Sequence, residues 1–267
     1  MVTNSSKKEE VAGRGRQIVN AAFMLLEREG LSAVRLDRVA ELIGCTRTTL
    51  YNHFANREEM LIEMAAQAVS CRHRLFEAAV RQEGPSRHRI MAVCVASMVY
   101  FDELPTRFAI EQAIEHESIW EKVAPERQAK MLEDQNACME LCASCVLDGI
   151  RDGELPLPSG LTVEQMVERV CFGLWSMAYG GLVIEASSPS LERVGIRDVR
   201  STIHHNCNAL LDSFDWQPAY EPIAYQAFLS ESLNGLRAVA SDLLKNSTPE
   251  VQAKQSTSER ETHHDAS

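Results

Sequence analysis

The chain has 267 residues, is 45% hydrophobic and 24% charged, and carries a formal net charge of −11. That length permits one large domain or a small one joined to a larger one, with apolar content enough for a buried core. The acidic sum is an unpromising sign for a nucleic-acid binder, yet its distribution is uneven. Residues 1–60 hold 9 Lys+Arg against 8 Asp+Glu, a net of +1, while the remainder holds 18 against 30, a net of −12. Residues 11–57 alone hold 7 basic and 4 acidic side chains. A modestly basic module on an acidic body suits a protein that meets DNA at one end.

The opening MVTNSSKKEEVAG has no apolar core and does not read as a signal peptide. The longest uncharged apolar run, residues 170–184, falls short of the ~20 residues that span a bilayer and reads as a buried helix, so no membrane partner is expected. Eight cysteines without a secretory signal predict reduced thiols in a cytoplasm rather than a disulfide framework.

No stretch alternates like a strand, and almost every segment has helical period, so the expected fold class is all-α. Residues 1–12 are polar and read as a disordered tail. A helix follows over about 13–29, with Ile18, Ala22, Leu25 and Leu26 on one face and Gly30 as its stop. A second covers about 36–43, with Leu36, Val39, Ala40 and Ile43 inward, and Gly44 supplies the turn after it. Thr46 can cap a third. Asn56 and Glu59 have capping-box spacing and open a long helix to about residue 83. Gly84-Pro85-Ser86 separates it from a helix ending near 103; Pro105 starts one to about 120, and Pro125 one to about 152. After the loop GELPLPSG, Thr162 and Gln165 form a second capping box for a helix to about 186. Further helices are expected over 191–214 and 223–245, and residues 246–267, polar throughout, read as a disordered tail.

Residues 30–60 carry the functional signal. Two short helices around a glycine turn, the second polar on one face and anchored by Leu50 and Phe54 on the other, have the pattern of a helix-turn-helix. Arg47 can bond guanine or phosphate, Asn52 adenine or phosphate, and Thr46, Thr48 and Thr49 can touch phosphate or a thymine methyl. Tyr51 and His53 can reach the backbone from the far end, and Arg57 adds a backbone N–H and a positive charge.

These residues resemble the TetR-type family of bacterial transcription regulators. The matching pieces are residues 18–26, Gly30, Asp37-Arg-Val-Ala40, Gly44, Thr46-Arg-Thr-Thr-Leu-Tyr-Asn-His-Phe54 and Asn56-Arg-Glu-Glu-Met60. Where the family usually places threonine or serine ahead of the second helix, this chain has Arg35, a long cation able to reach phosphate itself. The resemblance implies a three-helix DNA-binding domain over 13–60 and a larger helical ligand-binding and dimerisation domain over 61–245. It also implies a homodimer, a double-stranded pseudo-palindromic operator with half-sites roughly 34–36 Å apart, and a small-molecule effector that releases the DNA. The helices near 163–186 and 191–214 would pair across the two-fold axis.

In the larger domain, Phe101, Phe108, Trp120, Met139 and Phe172 are candidates for the wall of an apolar ligand pocket, as are Trp175, Met177 and Tyr179. Gln112 and His116, with Glu111, can serve as polar anchors. Gly173 and Gly180-Gly181 remove bulk from an apolar helix, for a close helix contact or for ligand space. Cys138, Cys142 and Cys145 share one helix face and, with His204, His205 or Cys207, offer an alternative: a redox- or soft-metal-responsive regulator. The bland reading of that face, small buried hydrophobes, competes with it, and no metal or cofactor is expected. No Walker loop, G-x-S-x-G, H-E-x-x-H or glycine-rich dinucleotide turn is present, so an all-helical enzyme is the remote alternative.

Overall fold

In the computed structural model, which describes residues 4–188 and 190–245, the chain forms eleven α-helices and two short 3-10 turns, with no strand among the described residues. The first three helices are α1 (Asn4–Glu29), α2 (Leu36–Leu42) and α3 (Arg47–Tyr51). Ile18, Ala22 and Leu25 of α1 close over Val39 and Ala40 of α2 and over Leu50 and Phe54, all buried. Each large side chain buried this way contributes about 1.5–3 kcal/mol, which lets helices of five and seven residues persist although neither would hold in isolation. Gly44, at φ 63°, makes the left-handed turn between them.

The long helix α4 (Arg57–Val80) leaves this module and enters the larger bundle. It packs on α5 (Ser86–Glu103), α6 (Pro105–Ala113) and α8 (Pro125–Arg151). Helices α9 (Val163–Ser187) and α10 (Val199–Asp212) pair with each other at one side. The last helix, α11 (Pro222–Lys245), lies on α5 and α4. Trp216, wholly buried, pins the α10–α11 connection: its indole donates to Ser86 Oγ at 3.0 Å, and its carbonyl accepts from Arg87 at 2.7 Å.

Several boundaries differ from the sequence expectation, each for a local reason. Helix α1 begins at Asn4, so helical backbone extends into the stretch read as a tail, because lengthening an anchored helix costs little compared with starting one. The expected C-terminal tail lies outside the described residues. The helix expected over 105–120 breaks after Ala113 and resumes as α7 (Glu117–Trp120). His116 caps the new start, and the Trp120 indole takes the carbonyl of Ile114 at 2.7 Å. The stretch 191–214 divides at Gly195, whose φ of 86° ends a 3-10 turn before Asp198 caps α10. The box at Thr162 and Gln165 closes in both directions. At Asn56 it closes in one only: Asn56 accepts from the Glu59 amide, while Glu59 reaches back to the Ala55 amide at 3.0 Å.

The apolar run 170–184 is not the buried helix expected. By length and composition α9 could cross a membrane, yet only 28% of its most apolar window is buried within the chain. Val170, Leu174, Ala178 and Leu182 face the core, while Phe172, Trp175 and Ile184 are half or more exposed. Two of its three glycines make room for α10. A Cβ on Gly173 would stand 2.7 Å from Leu210 Cδ2, and one on Gly181 would stand 2.6 Å from Ile203 Cδ1, whereas Gly180 meets nothing within 4 Å.

Candidate nucleic-acid interface and ligand cavity

Helix α3 is held from behind by Leu50 and at its start by Thr46, whose hydroxyl accepts from the Thr49 amide at 3.2 Å. The Thr46 and Thr49 hydroxyls also bond each other at 2.9 Å, so both are partly committed to the cap. Arg47, Thr48, Tyr51 and Asn52 stand exposed, and among the described residues Arg47 has no ion-pair partner. Arg35, directly before α2, forms a two-pronged pair with Asp37 at 2.8 and 3.2 Å. Desolvation, the largest single influence on the Asp37 carboxyl, pushes its pKa up, but hydrogen bonding and charge from Arg35 outweigh it and hold the group below its usual range. The pair is exposed and therefore weak enough for a phosphate to compete for the guanidinium.

Two candidates stand differently from the expectation. The Arg57 guanidinium does not point outward: Nε donates to the Val34 carbonyl at 2.6 Å and Nη2 to the Leu31 carbonyl at 2.8 Å. Its charge satisfies the carbonyls of the turn between α1 and α2, leaving the backbone N–H as its possible phosphate donor. His53 is half-buried beside Gly15 of α1 rather than on the open face.

The larger bundle encloses a cavity of about 380 Å³ between α4, α5, α6, α8 and α9. Of the ten side chains the sequence offers as ligand contacts, Phe108, Met139, Trp175 and Tyr179 line it. The other six candidates do not. Phe101 lies behind Phe108 in an edge-to-face contact, with ring centroids 4.9 Å apart, under the Arg200 guanidinium. Gln112 acts one step back, donating to the Tyr179 hydroxyl. His116 and Trp120 are occupied in the α6–α7 break. Phe172 points to solvent, and Met177 packs against the core elsewhere. Periodicity cannot separate these roles, because it reports that a face is apolar and not which neighbour stands opposite.

The cavity's polar end is an array spanning α4, α5 and α6. Arg72 pairs with Glu111 at 3.0 Å, and Tyr100 donates to the same carboxylate. Burial, reinforced by Glu111, pushes the Tyr100 hydroxyl pKa well up, so it stays a donor. At the outer end Tyr179 donates to Glu115 at 2.6 Å. Arg72 carries no sequence signal of this role, since an arginine inside a long amphipathic helix looks like any solvated charge.

A second set of contacts joins the bundle to the N-terminal module. Asn56 donates to the Lys122 carbonyl at 2.7 Å, and Lys122 pairs with Glu58 at 2.8 Å. Arg107 of α6 lies over Phe23 of α1, 4.9 Å from the ring centroid. Arg127, in the first turn of α8, lies over Phe54 and donates to the His53 carbonyl at 3.1 Å.

All eight cysteines are free thiols. Cys94, Cys142 and Cys171 line the cavity, and the Cys94 thiol neighbours that of Cys207. Burial raises the thiol pKa of Cys138, of Cys145 to about 11, of Cys171 to about 12, and of Cys142 further. Thiols held protonated are poor nucleophiles and poor ligands. Among the described residues no group of three or more His, Cys, Asp or Glu could hold a metal ion. His204 is also engaged elsewhere, bonding Tyr225 at 2.7 Å.

A polar, outward-facing second helix on a small three-helix module, carried by one long helix into a cavity-bearing bundle, is the geometry of a helix-turn-helix joined to a helical bundle. Residues 18–64 match the model for bacterial regulatory proteins of the tetR family. No curated protein matches the chain. Among solved structures, it is similar to the TetR-family regulator PfmR from Thermus thermophilus, at 18% identity and a TM-score of 0.51, over 73% of this chain and 97% of that one. A TetR/AcrR-family regulator from Thermobifida fusca shares 20% identity at a TM-score of 0.53, over 76% and 98% of the two chains. A putative regulator from Saccharomonospora viridis, solved in complex with choline, shares 15% identity at a TM-score of 0.55, over 75% and 96%. The N-terminal module is thus of the TetR type, and the chain has the fold of TetR-family regulators.

Proposed function

We propose that the protein is a ligand-responsive transcriptional repressor. It binds a pseudo-palindromic operator as a homodimer and is released by a small, largely apolar effector held in the 380 Å³ cavity. On this reading residues 13–60 form the DNA-binding domain and 61–245 the ligand-binding and dimerisation domain. Arg47, Thr48, Tyr51 and Asn52 meet the operator directly, with Thr46, Thr49, Arg35 and the Arg57 amide beside them. The role requires no catalysis.

The observation that carries the reading is that one helix serves both sites. Helix α4 starts three residues after Phe54 and supplies Arg72 to the cavity. At 1.5 Å per residue the fifteen residues from Arg57 to Arg72 span roughly 22 Å. A ligand that displaces Arg72 or Glu111 therefore acts on the helix that positions the recognition module. Two such modules must hold their helices roughly 34–36 Å apart to engage both half-sites, so a small tilt of α4 in each subunit spoils the fit.

The exposed apolar side of α9 supports the dimer. Phe172, Trp175 and Ile184 are 62%, 50% and 52% exposed in the single chain, which is costly unless another surface covers them. A second copy of the same face, packed with α10 about a two-fold axis, meets that need.

Selection of bound sequences from random DNA, followed by sedimentation of the complex, tests this reading. The expected result is one pseudo-palindrome bound by two chains. Recovery of no motif, or a single chain on a half-site, overturns it.

A further inference from the structure

We infer that the cavity selects a cationic ligand: an ammonium or quaternary ammonium group carried on an apolar or aromatic body. The inference rests on the reading of the cavity as the effector site and names the chemistry that site would recognise.

The charges that line the cavity are Arg72, Glu111 and Glu115. The single cation is already spent. Arg72 Nη2 lies 3.0 Å from Glu111 Oε2, both side chains are largely buried, and Tyr100 donates to the same carboxylate. An anionic ligand would have to pull Arg72 away and leave a buried carboxylate unpaired, a costly exchange. Glu115 is different. Among the described residues it has no ion-pair partner, and its carboxylate accepts from the neutral Tyr179 hydroxyl at 2.6 Å. The Tyr179 oxygen is in turn bonded by the Gln112 amide, which fixes the phenol with its hydrogen toward Glu115. The cavity's remaining lining adds no charge. Burial keeps the thiols of Cys142 and Cys171 and the phenols of Tyr100 and Tyr179 protonated. One negative charge is left over, at the mouth.

The walls beside that charge are aromatic. The Tyr179 ring stands 5.8 Å from Phe108 and 6.0 Å from Trp175, centroid to centroid, so three rings run together next to Glu115. Ring faces attract a cation and offer nothing to an anion. A carboxylate adjoining an aromatic wall is therefore built for an onium group, with the apolar floor of Ile90, Val93 and Leu174 taking its hydrophobic body.

The test is isothermal titration of the full chain with three probes of similar length: phenylbutyltrimethylammonium, phenylpentanol and phenylpentanoate. The cation is expected to bind at least about tenfold more tightly than the alcohol or the carboxylate. Glu115→Gln, which keeps an acceptor for Tyr179, is expected to cut that preference at least about threefold while leaving the alcohol's affinity unchanged. Glu117→Gln, an exposed neighbour, is expected to change neither. Equal or tighter binding of the alcohol or carboxylate overturns the inference, as does a cation preference that survives undiminished in Glu115→Gln. Operator release, measured in parallel, separates this inference from the effector reading. A cation that binds without releasing DNA keeps the ligand class and overturns the effector role. Release by the alcohol or carboxylate alone keeps the effector role and overturns the ligand class. Binding of none of the three overturns both.

Discussion

Arg127 lies over the ring of Phe54, its guanidinium carbon 5.0 Å from the centroid, while Nη1 reaches Glu63 at 2.6 Å. Phe54 closes the recognition module and Arg127 opens α8, the helix that further along supplies Met139 and Cys142 to the cavity. The module is thus fastened to the cavity-bearing bundle at a second point besides α4. A double-mutant cycle of Arg127→Gln and Phe54→Leu, followed by urea unfolding, is expected to show a coupling of about 0.5–1 kcal/mol. Additive losses would show that the two side chains are neighbours without being partners.

Arg47→Ala is expected to weaken operator binding by about 1–3 kcal/mol if the side chain reads a base, and to relax sequence preference at one position. A loss equal on all sequences, with a shallower salt dependence, would place the guanidinium on phosphate instead. Titrations at two salt concentrations on specific and scrambled duplexes distinguish these outcomes. Arg57→Ala is expected to act through stability, since its guanidinium holds the carbonyls of Val34 and Leu31.

The adjacent glycines of α9 are expected to part company. At Gly181 a new methyl group meets Ile203 at 2.6 Å, and overpacking of that kind costs about 1–3 kcal/mol. At Gly180 nothing lies within 4 Å, and alanine there gains up to about 1 kcal/mol of helix propensity. Thermal melts of Gly181→Ala and Gly180→Ala are the check. A loss of dimer confined to Gly180→Ala would place that open site against the second copy.

Stability is expected to fall on mild acidification. Burial, aided by Arg200, holds the His204 pKa below its ordinary 6.5. The unfolded chain takes up that proton as pH drops through about 6.5, while the folded ring resists until lower pH, so the unfolded state binds more protons across this window. His204 thus contributes no penalty above the window and a growing one below it. His204→Gln, neutral at every pH and able to accept from Tyr225, is expected to lose less melting temperature between about pH 7.5 and about pH 5.5 than the parent chain. An identical loss in both would assign the acid sensitivity to other groups, among them His88, which burial also holds low.

Local chemistry, the class of signal readable from sequence, accounts for most helix boundaries. Caps at Thr46, Asn56 and Thr162 and prolines at 105 and 125 act within one turn of chain, so they can be read in order. The recognition helix is legible for a related reason. Leu50 and Phe54 must face inward, and that fixes Arg47, Thr48, Tyr51 and Asn52 on the open side. The break at His116 is harder to see, because it depends on Trp120 turning back to take a freed carbonyl.

The cavity depends on contacts distant in sequence. Arg72, Tyr100, Glu111 and Tyr179 come from four helices and meet only after the bundle packs. Their pairing decides whether a charge is spent or free, as it does for Arg72 and Glu115. Amphipathic period can announce that a side chain faces inward, but the energetics of a buried charge belong to the partner opposite, and only the tertiary structure supplies that partner. From its sequence alone the chain declares an all-helical DNA-binding module on an acidic helical body; packing decides which arginine supports the turn at Val34, which aromatic residues wall the cavity, and where its unbalanced charge stands.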